Sequence, residues 1–347
     1  MEGMILPPKA RPGDRVAVLS PAFAAPAASE AVHEQAMARL RELTGLVPVE
    51  YATTRMLDAS PVARADDVNA AFADPDIRAI LATIGGDDQI LVTPHLDPAA
   101  ARADPKPFLG YSDNTNILTW LWQHGMAAFH GGSTQIHLGA GPAVDEIHAR
   151  SLRAAVLDGG EIELTEPGES EDFGRRWADP RALHELGDRM PTEPWTWSGP
   201  ARRVSGRTWG GCLEVLDQLA LADRLPETGA LAGAVLLLEA SERLTPVGTV
   251  ASWIRALGER GVLAEVAGVL VARPPVSTFE TIPSAEEGGR RRAAQRDAMI
   301  AEVARYNPEA VVCVGVPFGH TRPQWILPYG GEVVLDGAAR TVTASYA

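Results

Sequence analysis

The sequence predicts an α/β protein of two domains, and two observations support that prediction. In the first half of the 347 residues, short apolar runs alternate with segments whose apolar positions recur at helical spacing. In the second half, a new series of apolar runs begins after a stretch crowded with prolines, acids and tryptophans. We therefore expect an N-terminal doubly wound, flavodoxin-like parallel sheet over residues 1–163, a linker and active-site loop over 164–204, and a smaller C-terminal α/β domain over 205–347.

The elements of the first half bring three turns to one edge of a sheet. Strands are predicted at 16–19, 80–84, 108–111 and 127–129, and a helix capped by Ser29 at 29–43. In open parallel sheets, ligands bind outside the carboxyl ends of the strands. Gly85-Gly86, Ser112 and His130 all follow predicted strand ends, so we expect them to lie close together. His130 stands beside two glycines, and it is as well explained by bracing this turn as by contacting a ligand.

The second half continues the alternation of strands and helices. Helices are predicted at 211–221, 246–257 and 284–306, and strands ending at Glu239 and covering 266–271 and 311–316. The three arginines at 290–292 follow two glutamates, which is typical of a solvated helix face, and we assign them no chemistry.

Ser112 lies where a nucleophile elbow would be, between an apolar run at 107–109 and a helical run that begins at Ile117. Such a turn lifts a hydroxyl above the sheet edge, and the amide that follows can point at an oxyanion. The usual pattern has a second glycine where this chain has Asn114. An ordinary helix N-cap therefore remains an alternative for Ser112.

A carboxylate and an imidazole end two further buried strands. Glu239 closes a nearly all-apolar run, and His320 follows the valine-rich run 311–316 on a tight Pro-Phe-Gly turn. With Ser112 they form the set of a catalytic triad, in which the imidazole takes the serine proton and the carboxylate orients the imidazole. Glu242 competes for the acid role, but Glu239 ends the strand directly.

These motifs occur in one order along the chain, and that order resembles the LD-carboxypeptidases, serine peptidases that include the microcin C immunity proteins. The resemblance covers nearly the whole length, and its further motifs are Leu6-Pro7-Pro8, the opening run at 11–18, the segment at 82–86, His130-Gly131 and the segment at 210–213. The occurrence of all these motifs together is much more specific for the family than any one motif alone.

The resemblance implies a nucleophile at Ser112, an acid at Glu239 and a general base at His320. It also implies oxyanion donors at the backbone amide of Asp113 and at the Gly85-Gly86 turn, where glycine allows close approach to substrate. The resemblance implies a homodimer and implies no cofactor. Cys212 departs from the asparagine expected in much of the family, which puts a carried-over substrate contact at Cys212 in doubt.

The family divides by substrate. One branch trims a D-residue from cell-wall tetrapeptides, and the other cuts the amide that joins an acidic residue to a sulfamoyl or phosphoramide adenylate. Both substrates, a small peptide or a peptidyl nucleotide, need a pocket for a negative group, which backbone amides or an arginine can line. Trp177 or Trp197 in the long loop could stack on adenine, which favours the second branch. The alternative is that these tryptophans only close a hydrophobic lid.

Composition excludes several other classes. The formal net charge of -14 opposes nucleic acid and anionic membrane surfaces. The N-terminal residues lack a basic region followed by a long apolar run, and we expect a cytoplasmic protein without a membrane segment. The two cysteines and eight histidines show no metal-ligand spacing, so no metal is predicted. A catalytically inactive ligand-binding protein on the same scaffold remains the alternative function.

Overall fold

The computed structural model describes residues 3–347. The strands are β1 (Arg15–Leu19), β2 (Val47–Glu50), β3 (Ile77–Ala82), β4 (Phe108–Gly110), β5 (Ala128–His130), β6 (Glu161–Glu163), β7 (Glu169–Ser170), β8 (Met190–Pro191), β9 (Thr196–Ser198), β10 (Arg203–Cys212), β11 (Val235–Glu239), β12 (Gly268–Ala272), β13 (Val311–Val316), β14 (Leu327–Tyr329), β15 (Glu332–Asp336) and β16 (Thr341–Ser345). The helices are α1 (Ala25–Ala28), α2 (Glu30–Thr44), α3 (Pro61–Ala73), α4 (Pro98–Ala103), α5 (Thr115–Gln123), α6 (Glu146–Arg153), α7 (Leu213–Leu221), α8 (Val247–Glu259), α9 (Val262–Glu265) and α10 (Ala285–Tyr306).

The first sheet has the strand order β14-β5-β4-β3-β1-β2. Strands β1 to β5 are parallel, and β14 from the C-terminal part of the chain adds to β5 in the antiparallel sense. Read from the β2 edge, the order 2-1-3-4-5 is that of a flavodoxin-like doubly wound sheet. The fold class predicted for the first half is therefore confirmed.

The second sheet has the order β6-β16-β15-β10-β11-β12-β13-β9. Its centre, β10 to β13, is parallel, and antiparallel strands flank it on both sides. Strand β10 is long enough to pair with β15 through its first half and with β11 through its second. Strands β10, β15 and β16 were not predicted from the sequence, because β10 and β16 lack a continuous apolar run and that of β15 is only three residues long.

Buried ion pairs hold the loop between the two sheets in place. The Asp172 carboxylate accepts hydrogen bonds from Arg273 at 2.8 Å and from Arg292 at 2.7 Å, and both Asp172 and Arg273 are nearly inaccessible. The interpretation of residues 290–292 as one solvated face was wrong for Arg292, which turns inward to pair with this loop. Arg290 and Arg291 do pair with glutamates of their own helix.

A second attachment joins the same loop to the segment that follows His320. Glu171 and Arg322 exchange backbone hydrogen bonds of 2.8 and 2.9 Å, and the Arg322 guanidinium binds Asp145 at 2.7 Å. The loop is thus tied to residues beside the predicted base. Among residues 3–347, no helix combines the length and the apolar character needed to cross a membrane.

Candidate active site

Ser112 lies on the sharp turn between β4 and α5. Its φ is 62°, a left-handed value that costs energy for a residue with a side chain and that recurs at functional sites. Gly85, just beyond β3, lies directly against it: a Cβ built there would stand 2.8 Å from Ser112 Oγ and 3.1 Å from the Asp113 amide nitrogen. Only glycine fits at this position without a shift of the serine.

Asn114 explains the departure from the usual elbow pattern. Its Nδ2 donates to the Ile84 carbonyl at 3.1 Å, and its Oδ1 accepts from Gln89 at 2.8 Å. The glycine at 110 is required for this packing, because a Cβ there would stand 2.8 Å from Asn114 Cβ. The asparagine therefore fastens the serine turn to the end of β3, a role that an ordinary N-cap would not need.

Glu239 and His320 meet at the carboxyl ends of β11 and β13. His320 Nδ1 lies 2.5 Å from Glu239 Oε2, and the glutamate is fully buried. Gly319 permits this approach, since a Cβ at that residue would lie 2.6 Å from the same carboxylate oxygen. The structure thus brings together the predicted acid and the predicted base.

Glu242 takes the opposite side of the same imidazole. Its Oε2 lies 3.2 Å from His320 Nε2, the nitrogen that a serine proton would have to reach, without the geometry of a hydrogen bond. The Glu242 side chain is 63% exposed, whereas that of Glu239 is inaccessible. Among the described residues, no hydrogen bond joins Ser112 Oγ to His320. The three triad residues therefore stay a prediction as a working set.

The charge state of the pair follows from its surroundings. Burial raises the pKa of Glu239, partly offset by its contact with His320. Burial by itself would lower the pKa of His320, but the neighbouring carboxylates, Glu239 first and Glu242 next, outweigh it and raise that pKa to about 9. In this arrangement the imidazole holds a proton near neutral pH.

Ser112 lines a small cleft. Its wall includes Gly86, Cys212 and Glu214. It also includes Arg243, which lies on the segment 240–246 between β11 and α8, called the strap below. Asp87 also lines it and forms an ion pair with Arg243, which links the glycine turn of the first sheet to the strap of the second. Asp87 and Arg243 were missed by the sequence reasoning, although each directly follows a residue singled out there.

Glu214 holds the strap in place from beneath. Its carboxylate accepts from Ser241 Oγ at 2.9 Å and Thr245 Oγ1 at 2.8 Å, and the Cys212 thiol donates to it at 3.2 Å. Burial raises the pKa of Glu214, but hydrogen bonds from its own backbone amide and from these side chains outweigh burial and lower it. Cys212 therefore lines the cleft, and its thiol donates its hydrogen bond to a structural carboxylate. The substrate contact predicted for Cys212 stays a prediction.

The two tryptophans singled out from the sequence lie in different places. Trp177 packs against a small apolar cluster formed by Val32, Ala140 and Ala182. Trp197 lies on the edge strand β9, opposite Cys313. Within residues 3–347, neither borders the cleft beside Ser112. Base stacking by either residue stays a prediction.

The remaining candidate ligands form no metal site in the described part of the chain: no group of three or more His, Cys, Asp or Glu side chains has a suitable arrangement there. Cys313 lies in the core of the second sheet, where burial raises the pKa of its thiol.

A serine on a strained strand-to-helix turn and an imidazole bound to a buried carboxylate are features found in serine peptidases on α/β scaffolds. Family models agree: the LD-carboxypeptidase N-terminal domain matches residues 16–131, and the LD-carboxypeptidase C-terminal domain matches residues 205–335. The chain belongs to the LD-carboxypeptidase family.

Relatives carry both kinds of name found in this family. A Vibrio cholerae protein with a carboxypeptidase name is 27% identical over 330 residues, 93% of this chain and 92% of that protein. The microcin C7 self-immunity protein MccF of Escherichia coli is 27% identical over 276 residues, covering 79% of this chain and 75% of MccF. The murein tetrapeptide carboxypeptidase of Pseudomonas aeruginosa is 29% identical over 190 residues, 54% of this chain and 53% of that enzyme.

Solved structures of MccF share the fold. The complex of MccF with glutamyl sulfamoyl guanosine superposes with a TM-score of 0.83 at 22% identity, covering 98% of both chains. The complex of MccF with aspartyl sulfamoyl adenosine gives a TM-score of 0.82 with the same identity and coverage.

Proposed function

We propose that this protein hydrolyses an amide bond beside a negatively charged group, with Ser112 as nucleophile, His320 as general base and Glu239 as the acid that orients the base. The observation that carries the proposal is the 2.5 Å contact between His320 Nδ1 and Glu239 Oε2. It leaves Nε2 as the ring nitrogen available for proton transfer, which is the division of roles in a triad.

The reaction would run in two halves. Ser112 Oγ attacks the scissile carbonyl while its proton passes to His320 Nε2, and the oxyanion is held by the amides of Asp113 and the Gly85-Gly86 turn. His320 then protonates the leaving nitrogen, and an acyl group remains on Ser112. Water, deprotonated by His320, releases the acid and restores the serine. For the first step, Glu242 has to give up its place at Nε2.

For the substrate, we propose a peptidyl or aminoacyl nucleotide of the microcin C type, with an LD-muropeptide as the second candidate. Arg243 lines the same cleft as Ser112. Its guanidinium, here paired with Asp87, is our candidate for binding a negative group next to the scissile bond. The MccF complexes with aminoacyl sulfamoyl nucleosides favour the first candidate by homology. The murein tetrapeptide carboxypeptidase among the relatives supports the second.

The test compares the two substrates on one enzyme and its matched variants. We expect the wild type to release sulfamoyl adenosine from aspartyl sulfamoyl adenosine faster than it releases D-alanine from a muropeptide. Ser112→Ala should reduce the favoured reaction by on the order of 10⁴-fold or more. Ser252→Ala, which removes an exposed hydroxyl on α8, should leave it unchanged.

Covalent labelling separates an enzyme from a binding protein. A fluorophosphonate should label the wild type once, at Ser112, and should not label Ser112→Ala. An unlabelled Ser112 in a protein that still binds the nucleotide would instead favour an inactive ligand-binding role. A faster muropeptide reaction would transfer the proposal to the second substrate.

A further inference from the structure

His130, at the end of β5, is a fully buried histidine that the proposed triad does not use. Within residues 3–347, neither of its ring nitrogens makes a hydrogen bond of good geometry, although backbone groups of His130 itself and of Phe318 lie near enough to the ring to favour its protonation. One oxygen of the triad acid, Glu239 Oε1, also makes no hydrogen bond in this part of the chain, and that oxygen lies 3.8 Å from His130 Nε2. Two buried polar atoms without partners thus face each other at slightly more than hydrogen-bond distance.

Such a pair is costly to leave open. A buried donor or acceptor without a partner loses its hydration and gains nothing in return, and a carboxylate oxygen loses more than a neutral group. A movement of less than about 1 Å would bring the two atoms to ordinary N–H···O distance. Side-chain rotation of this size lies within the normal motion of a folded protein.

We propose that His130 is a positioning residue of the triad, with Nε2–H donating to Glu239 Oε1 while Glu239 Oε2 accepts from His320 Nδ1. This inference rests on the proposed function, because it gives His130 its role through the acid of that triad. The Glu239 carboxylate is then held between two imidazoles, which fixes its plane and the direction it offers to His320.

The neutral form of His130 suits this role. Burial, followed by repulsion from His320, lowers the pKa of His130 to about 3, so the ring carries one proton and no charge in the working range. A neutral donor stabilises the anionic form of Glu239 without competing with His320 for its charge. It opposes the effect of burial on Glu239 and reduces the negative potential that holds the proton on His320.

The contact also joins the two halves of the site. His130 pairs in register with Gly110, two residues before the nucleophile, whereas Glu239 ends the central strand β11 of the second sheet. A hydrogen bond between them would fix the acid relative to the sheet that carries Ser112. It would add to an existing link, because the Gln324 side chain accepts from the Gly132 amide at 2.9 Å and donates to the Gly319 carbonyl at 2.8 Å.

Several groups besides His130 act on the charge of this pair and must be held constant in any test. They come from the elements packed around it, and are Tyr111 at the end of β4, His137 in the turn after β5, Cys212 at the end of β10, Glu214 on α7 and Glu242 on the strap after β11.

Bracing of the turn is the competing explanation. The His130 ring contacts Phe318 edge-on at 5.6 Å between centroids and lies 6.3 Å from the Tyr111 ring. A residue that only fills this space would act through packing, and any side chain of similar length would replace it. A hydrogen-bond donor would not be replaceable in that way.

Two variants separate the explanations. His130→Gln keeps an N–H donor at the same number of bonds from Cβ as Nε2, and His130→Met keeps the length without the donor. We expect the glutamine variant to retain kcat within about threefold. The methionine variant should lose about tenfold or more in kcat, with KM nearly unchanged, and its acid limb of kcat/KM should move upward by about one pH unit. Equal effects of the two variants, or an effect on thermal stability and KM alone, would overturn the proposal.

A second measurement does not depend on activity. In protein labelled with ¹⁵N-histidine, the wild type should show a slowly exchanging Nε2–H of His130 whose resonance shifts in Glu239→Gln. Its absence would overturn the hydrogen bond. If the fluorophosphonate fails to label Ser112 while this resonance is present and responds, the proposed function fails but the contact stands, so the two failures are distinguishable.

Discussion

The two sheets supply the cleft in different ways. On the first sheet, the geometry of Ser112 comes from the end of the neighbouring strand: Gly85 lies against it, and Asn114 fastens its turn to Ile84, 30 positions earlier. On the second sheet, Glu239 and His320 are separated by 81 positions and meet only because β11 and β13 end at the same edge. The nucleophile turn is thus held within the first sheet and the acid–base pair within the second, so each side should be separable from the other by mutation.

One contact between the two sides lies at the start of α5. The Cys212 amide donates to Thr115 Oγ1 at 3.1 Å, and Gly211 packs so closely that a Cβ would stand 2.6 Å from the same oxygen. The end of β10 therefore seats directly on the helix that follows Ser112.

The largest effect is expected from removing the acid. Glu239→Gln leaves a neutral amide beside His320 Nδ1, which offers the wrong partner for the required tautomer. We expect kcat to fall by on the order of 10⁴-fold, and fluorophosphonate labelling of Ser112 to slow in parallel. Steady-state kinetics and the labelling rate measure this. A variant that retained most of its activity would show that Glu239 is not the triad acid.

A smaller effect is expected on the nucleophile side. Gly85→Ala places a methyl group where only 2.8 Å separates it from Ser112 Oγ, so the serine or the proposed oxyanion donors must shift. We expect a loss in kcat of about 10² to 10³-fold, the range for one lost oxyanion contact. The control is Gly229→Ala, since a Cβ at Gly229 meets nothing within 4 Å.

The pH dependence of kcat/KM in Gly85→Ala tests whether the two sides are separable. The His320–Glu239 pair should be unchanged in Gly85→Ala, and the pKa on the acid limb of kcat/KM should therefore stay where it is in the wild type. A displaced limb would mean that the first sheet also sets the acid–base pair. The comparison between the sheets would then fail.

The separation of contacting residues along the chain explains what the sequence could predict. The helix predicted at 284–306 is observed as Ala285–Tyr306, and the strand at 311–316 is observed with the same bounds, because each shows a clear period or a continuous apolar run. The inward turn of Arg292 and the Arg243–Asp87 pair could not be predicted. Each depends on a partner brought from a distant part of the chain, and no local pattern records it.

Glu242 shows the same limit within the site. From the sequence it competed with Glu239 for the role of acid, and burial separates them: Glu239 is inaccessible and contacts Nδ1, while the 63% exposed Glu242 contacts Nε2. Spacing of three residues after a strand end could not reveal that both carboxylates would bind one ring. Only the positions of the strap and of β13 decide it.

The smallest expected effect tests this second carboxylate. The pKa of His320 is raised from its usual value of 6.5 to about 9. The protonated ring therefore stabilises the folded state fully at pH values below 6.5, and this contribution is lost as the pH rises through about 9. The base works only when neutral, so activity should rise with pH over the same interval. Glu242→Gln removes one carboxylate and frees Nε2, and should move the acid limb of kcat/KM downward.

Because Glu242 is largely exposed, solvent screening limits the change. We expect Ser112 labelling to become about two- to fivefold faster at pH 7, the range of an exposed ion pair of up to about 1 kcal/mol. Glu286→Gln, which removes an 84% exposed charge on α10, should leave the rate unchanged. Slower labelling in Glu242→Gln would instead mean that this carboxylate assists proton transfer. The exposed strap would then belong to the acid–base side as fully as buried β11 does.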